Sequence, residues 1–304
     1  MLFEGFLAAG LVLGTPILLV ALGELLVERT GVLNIGIEGV MLGGAFAAAL
    51  GAYSSGSAAW GAVAAAATGT GLALLFALAA VTLAADQIIV GAAINLLALG
   101  VTGALYRALL GATGTALVLP TLPPLEVPVL RHLPLVGAAL FGQHALVYLG
   151  LCLTPVLAFV LAHTGLGLRL RSLGDHPHAA ASLGLPVRRY RVATLAVGGA
   201  LGGLGGAALT LAATNTFVEG ITAGRGFIAL AVVVFGRWSP WGALAGSLLF
   251  GLASALQFQF QAAALAVPYQ LFLMLPYLLT LVVLLLSAGG ARAPRALGAR
   301  YDRD

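Results

Sequence analysis

Long apolar runs separated by short polar ones set the pattern of this chain. Eight runs approach the roughly 20 residues that carry a helix across a bilayer. They are Gly5–Val27, Gly31–Gly51, Ala59–Leu83, Ile88–Leu110, His144–His163, Val192–Ala213, Trp241–Phe260 and Pro268–Ser287. A further run, Phe227–Phe235, is too short: as a helix it rises only about 14 Å, half of the hydrocarbon core. It either borrows the polar stretch before it to cross or sits as a half-helix inside the protein. Irregular backbone survives at membrane depth only where it is buried in protein or lines a cavity. The pattern therefore predicts an all-α polytopic membrane protein of about eight to nine transmembrane helices with a short half-span. A single transmembrane domain covers residues 1–304, with no internal repeat. The first run has no basic residue ahead of it and many runs behind it, so it reads as a span and not as a cleaved signal.

The longest polar interruption in the middle of the chain is the loop 165–191, with Arg169, Arg171, Arg188, Arg189 and Arg191 at its two ends. Arginine at both ends of a bridge between spans marks a cytoplasmic loop, because positive side chains resist translocation. Its centre, Asp175–Leu185, is expected to form a short helix started by Asp175 or His176, with Pro177 in the first turn and Gly184 and Pro186 as the stop. The cytoplasm is thus shown a helix on two tethers, or simply a charged topology anchor. Alternating outward from this loop puts the Glu28–Thr30 turn, the Arg237–Pro240 turn and the tail inside, and with them 11 of the 14 arginines. The N-terminus then lies outside, the C-terminus inside, and Phe227–Phe235 serves as one leg. The largest external loop, 111–142, carries Pro120, Pro123, Pro124, Pro128 and Pro134, which favour extended or turned backbone. The polar tail 289–304 is expected to be disordered.

Composition sharpens the class. Of the 304 residues 61% are hydrophobic and 8% charged, with a mean hydropathy of +1.08, far from a soluble domain. All 14 basic residues are arginine. Without lysine there is no P-loop, so any ATPase that drives this protein is another chain. The net charge of +4 is accounted for by loop arginines and does not point to nucleic acid. Cys152 is the only cysteine, which leaves no internal disulfide and no cysteine metal cluster. The five histidines show no ligand spacing with acidic partners, and no nucleophile–base pair suggests catalysis. Gly198, Gly202 and Gly206 make two consecutive small-residue steps of four, with Gly199 and Gly203 beside them. Gly10/Gly14, Gly39/Gly43 and Gly242/Gly246 repeat the spacing, which lets helices approach closely in lipid.

Polar groups inside apolar runs are costly and are candidates for function. Asn34 and Glu38 stand four apart on one helix face. They form either a polar patch on a solute path or a helix-packing hydrogen bond. Asp86 is best read as a helix N-cap. Asn95 lies two turns into its run, with Thr102 and Tyr106 continuing its face. Asn215, Glu219 and Arg225 precede the half-span, where Glu219 can pair with Arg225 or the stretch can be an exposed loop. Asn34, Glu38, Asn95, Asn215 and Arg225 are the candidate path residues.

The run Glu28-Arg-Thr-Gly-Val-Leu-Asn-Ile-Gly-Ile-Glu-Gly-Val-Met-Leu-Gly-Gly44 resembles permease subunits of bacterial ABC importers in the branched-chain amino acid/ribose permease superfamily. Its wording is most similar to the nucleoside, simple-sugar-like branch. Two further stretches, Asp86–Ala98 and Arg225–Trp238, resemble the same branch. Gly174-Asp-His-Pro-His-Ala-Ala-Ala-Ser-Leu-Gly184 is similar to the family's coupling loop, with Asp175 where asparagine is usual.

The resemblance implies an importer subunit of the bacterial cytoplasmic (inner) membrane. It binds no cofactor itself; ATP is hydrolysed by a partner, a cytoplasmic ATP-binding subunit. Gly174, Asp175, His176, Pro177, Ala180, Gly184 and Arg188 would form the contact with that subunit. A second permease subunit, in a homo- or heterodimer, and an extracytoplasmic solute-binding lipoprotein complete the implied partners. The branch implies nucleosides as cargo; simple sugars or branched-chain amino acids are the alternative. An ion-coupled secondary transporter is a weaker reading, since it wants carboxylates in mid-membrane and inverted repeats.

Overall fold

The computed structural model describes residues 2–109, 118–126, 137–262 and 293–301, together with positions 274, 278, 282 and 285. Among the described residues, seven helices are long and apolar enough to cross a membrane. They are α1 (Leu2–Glu28), α2 (Ile37–Ser55), α3 (Ala58–Phe76, continued by a π-helical turn Ala77–Thr82), α4 (Gln87–Leu109), α6 (Ala145–His163), α9 (Val187–Ala208, continued by a π-helical turn Leu209–Thr214) and α11 (Pro240–Ala262). Shorter helices are α5 (Gly137–Leu140), α7 (Gly165–Asp175), α8 (Pro177–Ser182) and α10 (Arg225–Phe235). The proline-rich segment before α6 holds one antiparallel pair, β1 (Pro124–Glu126) against β2 (Gly142–His144). The apolar run Pro268–Ser287 and much of the loop 111–142 lie outside the described residues, apart from positions 274, 278, 282 and 285 and residues 118–126 and 137–142.

α1, α2 and α9 form the centre. In the most apolar windows of α2 and α9, 67% of residues are buried, against 28% in α3, α4 and α6, which turn apolar faces outward. Glycine makes this centre possible. α9 touches three helices through it: Gly198 and Gly205 lie on α1, Gly203 and Gly206 on α2, and Gly199 and Gly203 on α3. A methyl group at Gly203 would overlap the carbonyl of Ala65 on α3, and one at Gly44 would overlap the Gly203 backbone. The small-residue spacing thus sits where backbones meet, as expected for helices associating in lipid. α1 packs on α11 the same way, with Gly14 against Ser247 and Gly251.

Three expectations are corrected. α2 does not start at Gly31. Residues 32–34 are not helical, and helix resumes at Ile37, so Asn34 and Glu38 do not share a helix face. The loop 165–191 is not a helix on two tethers. Gly165–Asp175 is itself the helix α7, with Thr164 as N-cap accepting from the Gly167 amide at 3.2 Å. α9 begins at Val187, so Arg188, Arg189 and Arg191 are helical. The central helix is confined to α8, with Pro177 at its start and Gly184 beyond its end at φ +84°.

The third correction concerns the tail. Residues 293–301 fold back against the arginine-rich end of the helices. The Ala296 amide donates to Gly174 O at 2.8 Å and the Gly298 amide to Gly31 O at 3.1 Å. Tyr301 lies between His178, at 5.2 Å between ring centroids, and the Arg191 guanidinium, 5.6 Å from the ring centre. Pro294 is buried and meets Gly174. Low hydrophobicity suggested disorder, but backbone hydrogen bonds to two glycines supply what side chains do not.

A clean test of the glycine centre is Gly203→Ala. It should lower the melting temperature of the purified protein, the overpacking costing about 1–3 kcal/mol. Gly100→Ala, at an open position in α4, should be neutral or stabilising by up to about 1 kcal/mol. Equal melting of the two variants would show that the close approach is not needed.

Candidate functional site

The non-helical stretch between α1 and α2 brings most of the candidate path residues together. Its polar groups must be satisfied locally, because lipid offers no partners. Asn34 is buried and holds the turn: its Oδ1 accepts from the Gly36 amide at 3.1 Å, and its own amide donates to Glu24 Oε1 at 3.0 Å. Asn95 on α4 clamps the start of α2. Its Oδ1 accepts from the Gly39 amide at 2.7 Å and its Nδ2 donates to Ile35 O at 3.0 Å. Asn95 lies eight residues into α4, about 12 Å above that helix's start. This layer is therefore well inside the membrane.

Glu38, in the same layer, caps the half-helix. Its Oε1 accepts from the Thr222 hydroxyl at 2.6 Å and the Gly224 amide at 2.9 Å, and its Oε2 from the Gly226 amide at 2.7 Å. Gly224 is the N-cap of α10, so the carboxylate meets the unsatisfied amides and the positive end of the helix dipole. Gly226 must be glycine for this approach: a Cβ there would meet Glu38 backbone and carboxylate at 2.6–2.9 Å. α10 spans about 16 Å. Its far end reaches the arginine-rich end of α1, where the Trp238 indole donates to Glu28 and Arg29 donates to the Trp238 carbonyl. The run Phe227–Phe235 is thus a half-helix starting in the layer of Glu38 and Asn95.

Residues 215–224 make up the rest of the leg. Phe217 is buried between Phe46 and Tyr106, with centroids 5.4 Å away in each case. Glu219 stands 3.6 Å from Arg107 of α4, an exposed pair worth little to stability. The Arg225 guanidinium folds back on Ile221 O and Thr222 O at 3.1 and 3.2 Å. So Asn34, Glu38, Asn95 and Arg225 converge around residues 34–39. Asn215 does not. It sits exposed at φ +58° beyond the π turn of α9, its carbonyl accepting from the Leu119 amide. Asp86 is an N-cap as expected, accepting from the Ile88 and Ile89 amides at 2.9 and 3.1 Å.

Sequence reasoning missed Glu24, Glu28 and Arg191. All three are buried, and Arg191 donates from Nε to Thr30 O at 3.1 Å. Two carboxylates one turn apart at the end of an apolar run were the available signal.

The coupling candidates gather at the arginine-rich end. α7 and α8 enclose a groove of about 390 Å³ lined by residues that include Arg171, Asp175, His176, Ala179 and Leu183. Ala180 lines the floor of the groove but is itself buried, packed against Leu173 and Val187. Gly174 and Pro177 are buried as well. Asp175, His176, Gly184 and Arg188 are exposed, as are Ala179 and Leu183, the latter with 84% of its surface open. Asp175 Oδ1 accepts the Arg295 amide at 3.3 Å, which ties the tail to α7.

The capping role of Glu38 has a direct test. Glu38→Ala strands three donors at the start of α10, each bond to a carboxylate being worth about 1.5–3 kcal/mol. Glu38→Gln keeps an amide oxygen as acceptor. Thermal melts should rank wild type above Glu38→Gln and Glu38→Gln above Glu38→Ala. An unchanged melting temperature in Glu38→Ala would remove the cap from the account.

Residues 6–284 match the family model described as a branched-chain amino acid transport system permease component. The chain is 37% identical over 302 residues to the guanosine ABC transporter permease protein NupQ of Bacillus subtilis, covering 96% of this chain and 95% of that one. It is 35% identical to the nucleoside ABC transporter permease protein NupC of Lactococcus lactis, over 96% of this chain and 94% of that one. A Haloferax volcanii permease named for glucose, TsgC13, is 38% identical over 86% of this chain and 79% of its own length. No solved structure matches the chain significantly. With seven spanning helices and a match that runs almost end to end, the chain is a multi-pass inner-membrane protein and belongs to the family of ABC transporter permeases of the branched-chain amino acid transport type.

Proposed function

We propose that this permease carries nucleosides into the cytoplasm as part of an ABC importer whose ATP is hydrolysed by a separate subunit. The observation that carries the cargo is the near full-length similarity to NupQ and NupC, named for guanosine and nucleosides. The layer at Asn34, Glu38, Asn95 and Arg225 is the proposed solute path, with Asn215 at its mouth. Amide groups that donate and accept suit a neutral heterocycle or polyhydroxyl solute. TsgC13, named for glucose, favours a sugar as the second reading. A solute-binding lipoprotein outside and a second permease subunit alongside complete the proposed assembly.

The arginine-rich end faces the cytoplasm in this reading. The exposed rim of the α7–α8 groove, with Asp175, His176, Gly184 and Arg188 around Ala179 and Leu183, is the seat for the ATPase. An apolar side chain as open as Leu183, on a polar surface, fits a partner's groove.

Uptake of labelled guanosine should be inhibited by other nucleosides and not by glucose, ribose or leucine; inhibition by glucose instead would transfer the cargo to the second reading. In a Cys152→Ser background, cysteines at Ser182 and Ser55 should label from opposite faces of the membrane, and labelling of both from one face would end the orientation. Ala179→Trp should lower co-purification of the ATPase about 5- to 150-fold, if overpacking at the seat costs roughly 1–3 kcal/mol. Normal co-purification and normal coupling in that variant would reduce α8 to a topology anchor.

A further inference from the structure

A second groove at the arginine-rich end has a polarity that runs along its length. It measures about 440 Å³ and lies between α6, α7, the turn after α1 and the start of α11. Pro155, Ala158, Phe159 and Ala162 line it at the spacing of one helix face, an apolar wall about 10 Å long. Phe159 and His163 stack at 5.3 Å with their planes 20° apart, which makes a flat plate at the end of that wall. Arg29 and Arg171 line the groove as well. Trp241, 55% exposed, borders the groove from α11 as interfacial tryptophans do.

The two guanidiniums are short of a negative partner. Arg29 donates one Nη to the Trp238 carbonyl, but its Nε is buried with no acceptor. Arg171 donates from Nε only to Gly167 O, at 3.4 Å. Neither has a carboxylate within ion-pair distance among the described residues. Burial, and then the Arg171 charge, push Arg29 below the ordinary arginine range, and only Asp175 opposes them. That carboxylate already accepts the Arg295 amide. Helix α7 carries exposed Leu166 and Leu168 beside its arginines, the composition of a helix lying in the membrane interface.

We propose that this groove binds an anionic phospholipid of the cytoplasmic leaflet, its phosphate between Arg29 and Arg171 and one acyl chain along the α6 wall. A free phosphate would use the cationic end and leave the apolar wall bare; a zwitterionic lipid would bring its own ammonium beside the two guanidiniums, which offsets the attraction of its phosphate. An anionic lipid meets both, and that leaflet carries such lipids. The site is separate from the solute path and rests only on the orientation assigned above.

Native mass spectrometry tests it on the full-length chain in the complex it forms, equilibrated with equal phosphatidylglycerol and phosphatidylcholine of matched acyl chains. Wild type should retain phosphatidylglycerol about 30-fold over phosphatidylcholine, with two arginines contributing. Arg171→Gln should cut that ratio about fivefold, the share of one arginine. So should Ala162→Glu, which places a carboxylate at an exposed position of the groove, beside the guanidiniums, without disturbing the core. Inorganic phosphate should not displace the lipid. Equal retention of the two lipids by wild type, an unchanged ratio in both variants, or displacement by phosphate would each overturn the proposal.

Discussion

A break in a membrane helix exposes backbone amides and carbonyls that hydrocarbon cannot satisfy, and this chain breaks its helices twice in the same layer. The stretch between α1 and α2 is not helical, and α10 begins part-way through the membrane. Each break answers the other. Asn34 and Asn95 take up the polar groups of the first, and Glu38, carried by the helix that follows it, takes the free amides of the second. Move α2 by a turn and the half-helix loses its cap. That mutual requirement fixes the relative height of α2, α4 and α10 more tightly than apolar packing does, because apolar surfaces slide and carboxylate hydrogen bonds do not.

The rest of the fold makes that layer reachable. α9 must pass close to α1, α2 and α3, and glycine at each crossing allows it. The small residues therefore contribute through what they omit. Buried Arg191 and the folded tail do the corresponding work at the arginine-rich end. There the turn at Gly31 is held by the Arg191 bond to Thr30 O and the Gly298 bond to Gly31 O. Gly31, at φ +83°, is the residue that lets the chain reverse in so small a space.

Much of this was legible in the sequence, and the failures share a cause. Apolar length identified the spans, arginine placement the charged end, Asp86 a cap, and glycine spacing the contacts. The start of α2 was misread because Gly31–Gly51 is apolar throughout, and hydropathy does not distinguish helix from a non-helical stretch buried in protein. The tail and α7 were misread because polar composition was taken for lack of structure. In both, backbone hydrogen bonds decide, and these leave almost no mark on composition. Glu38 is legible as a path residue or a helix-packing hydrogen bond, but nothing local names its partners: its three donors lie more than 180 residues away in the chain. Ala180, which the resemblance assigns to the partner contact, is packed against Leu173 and Val187, and no local pattern marks that.

That last residue bears on how α8 would pass on a push. A helix of six residues cannot hold itself rigid by its own hydrogen bonds. α8 is rigid because Ala180 is seated on α7 and α9, while the neighbouring Gly174 is bonded through its carbonyl to the tail and lies against Arg29 O. The tail in turn is bonded to Gly31. A load on the exposed side at Ala179 and Leu183 therefore meets a base joined by backbone hydrogen bonds to the turn from which α2 starts. Seven residues beyond Gly31 stands Asn34's layer-mate Glu38, bonded to the start of α10. Flexible side chains would absorb a displacement along such a route; backbone bonds and close glycine contacts leave it little slack. Contiguity alone does not make a transmission path; the joints here are the tail's backbone hydrogen bonds to Gly174 and Gly31 and the close packing of Ala180 and Gly174.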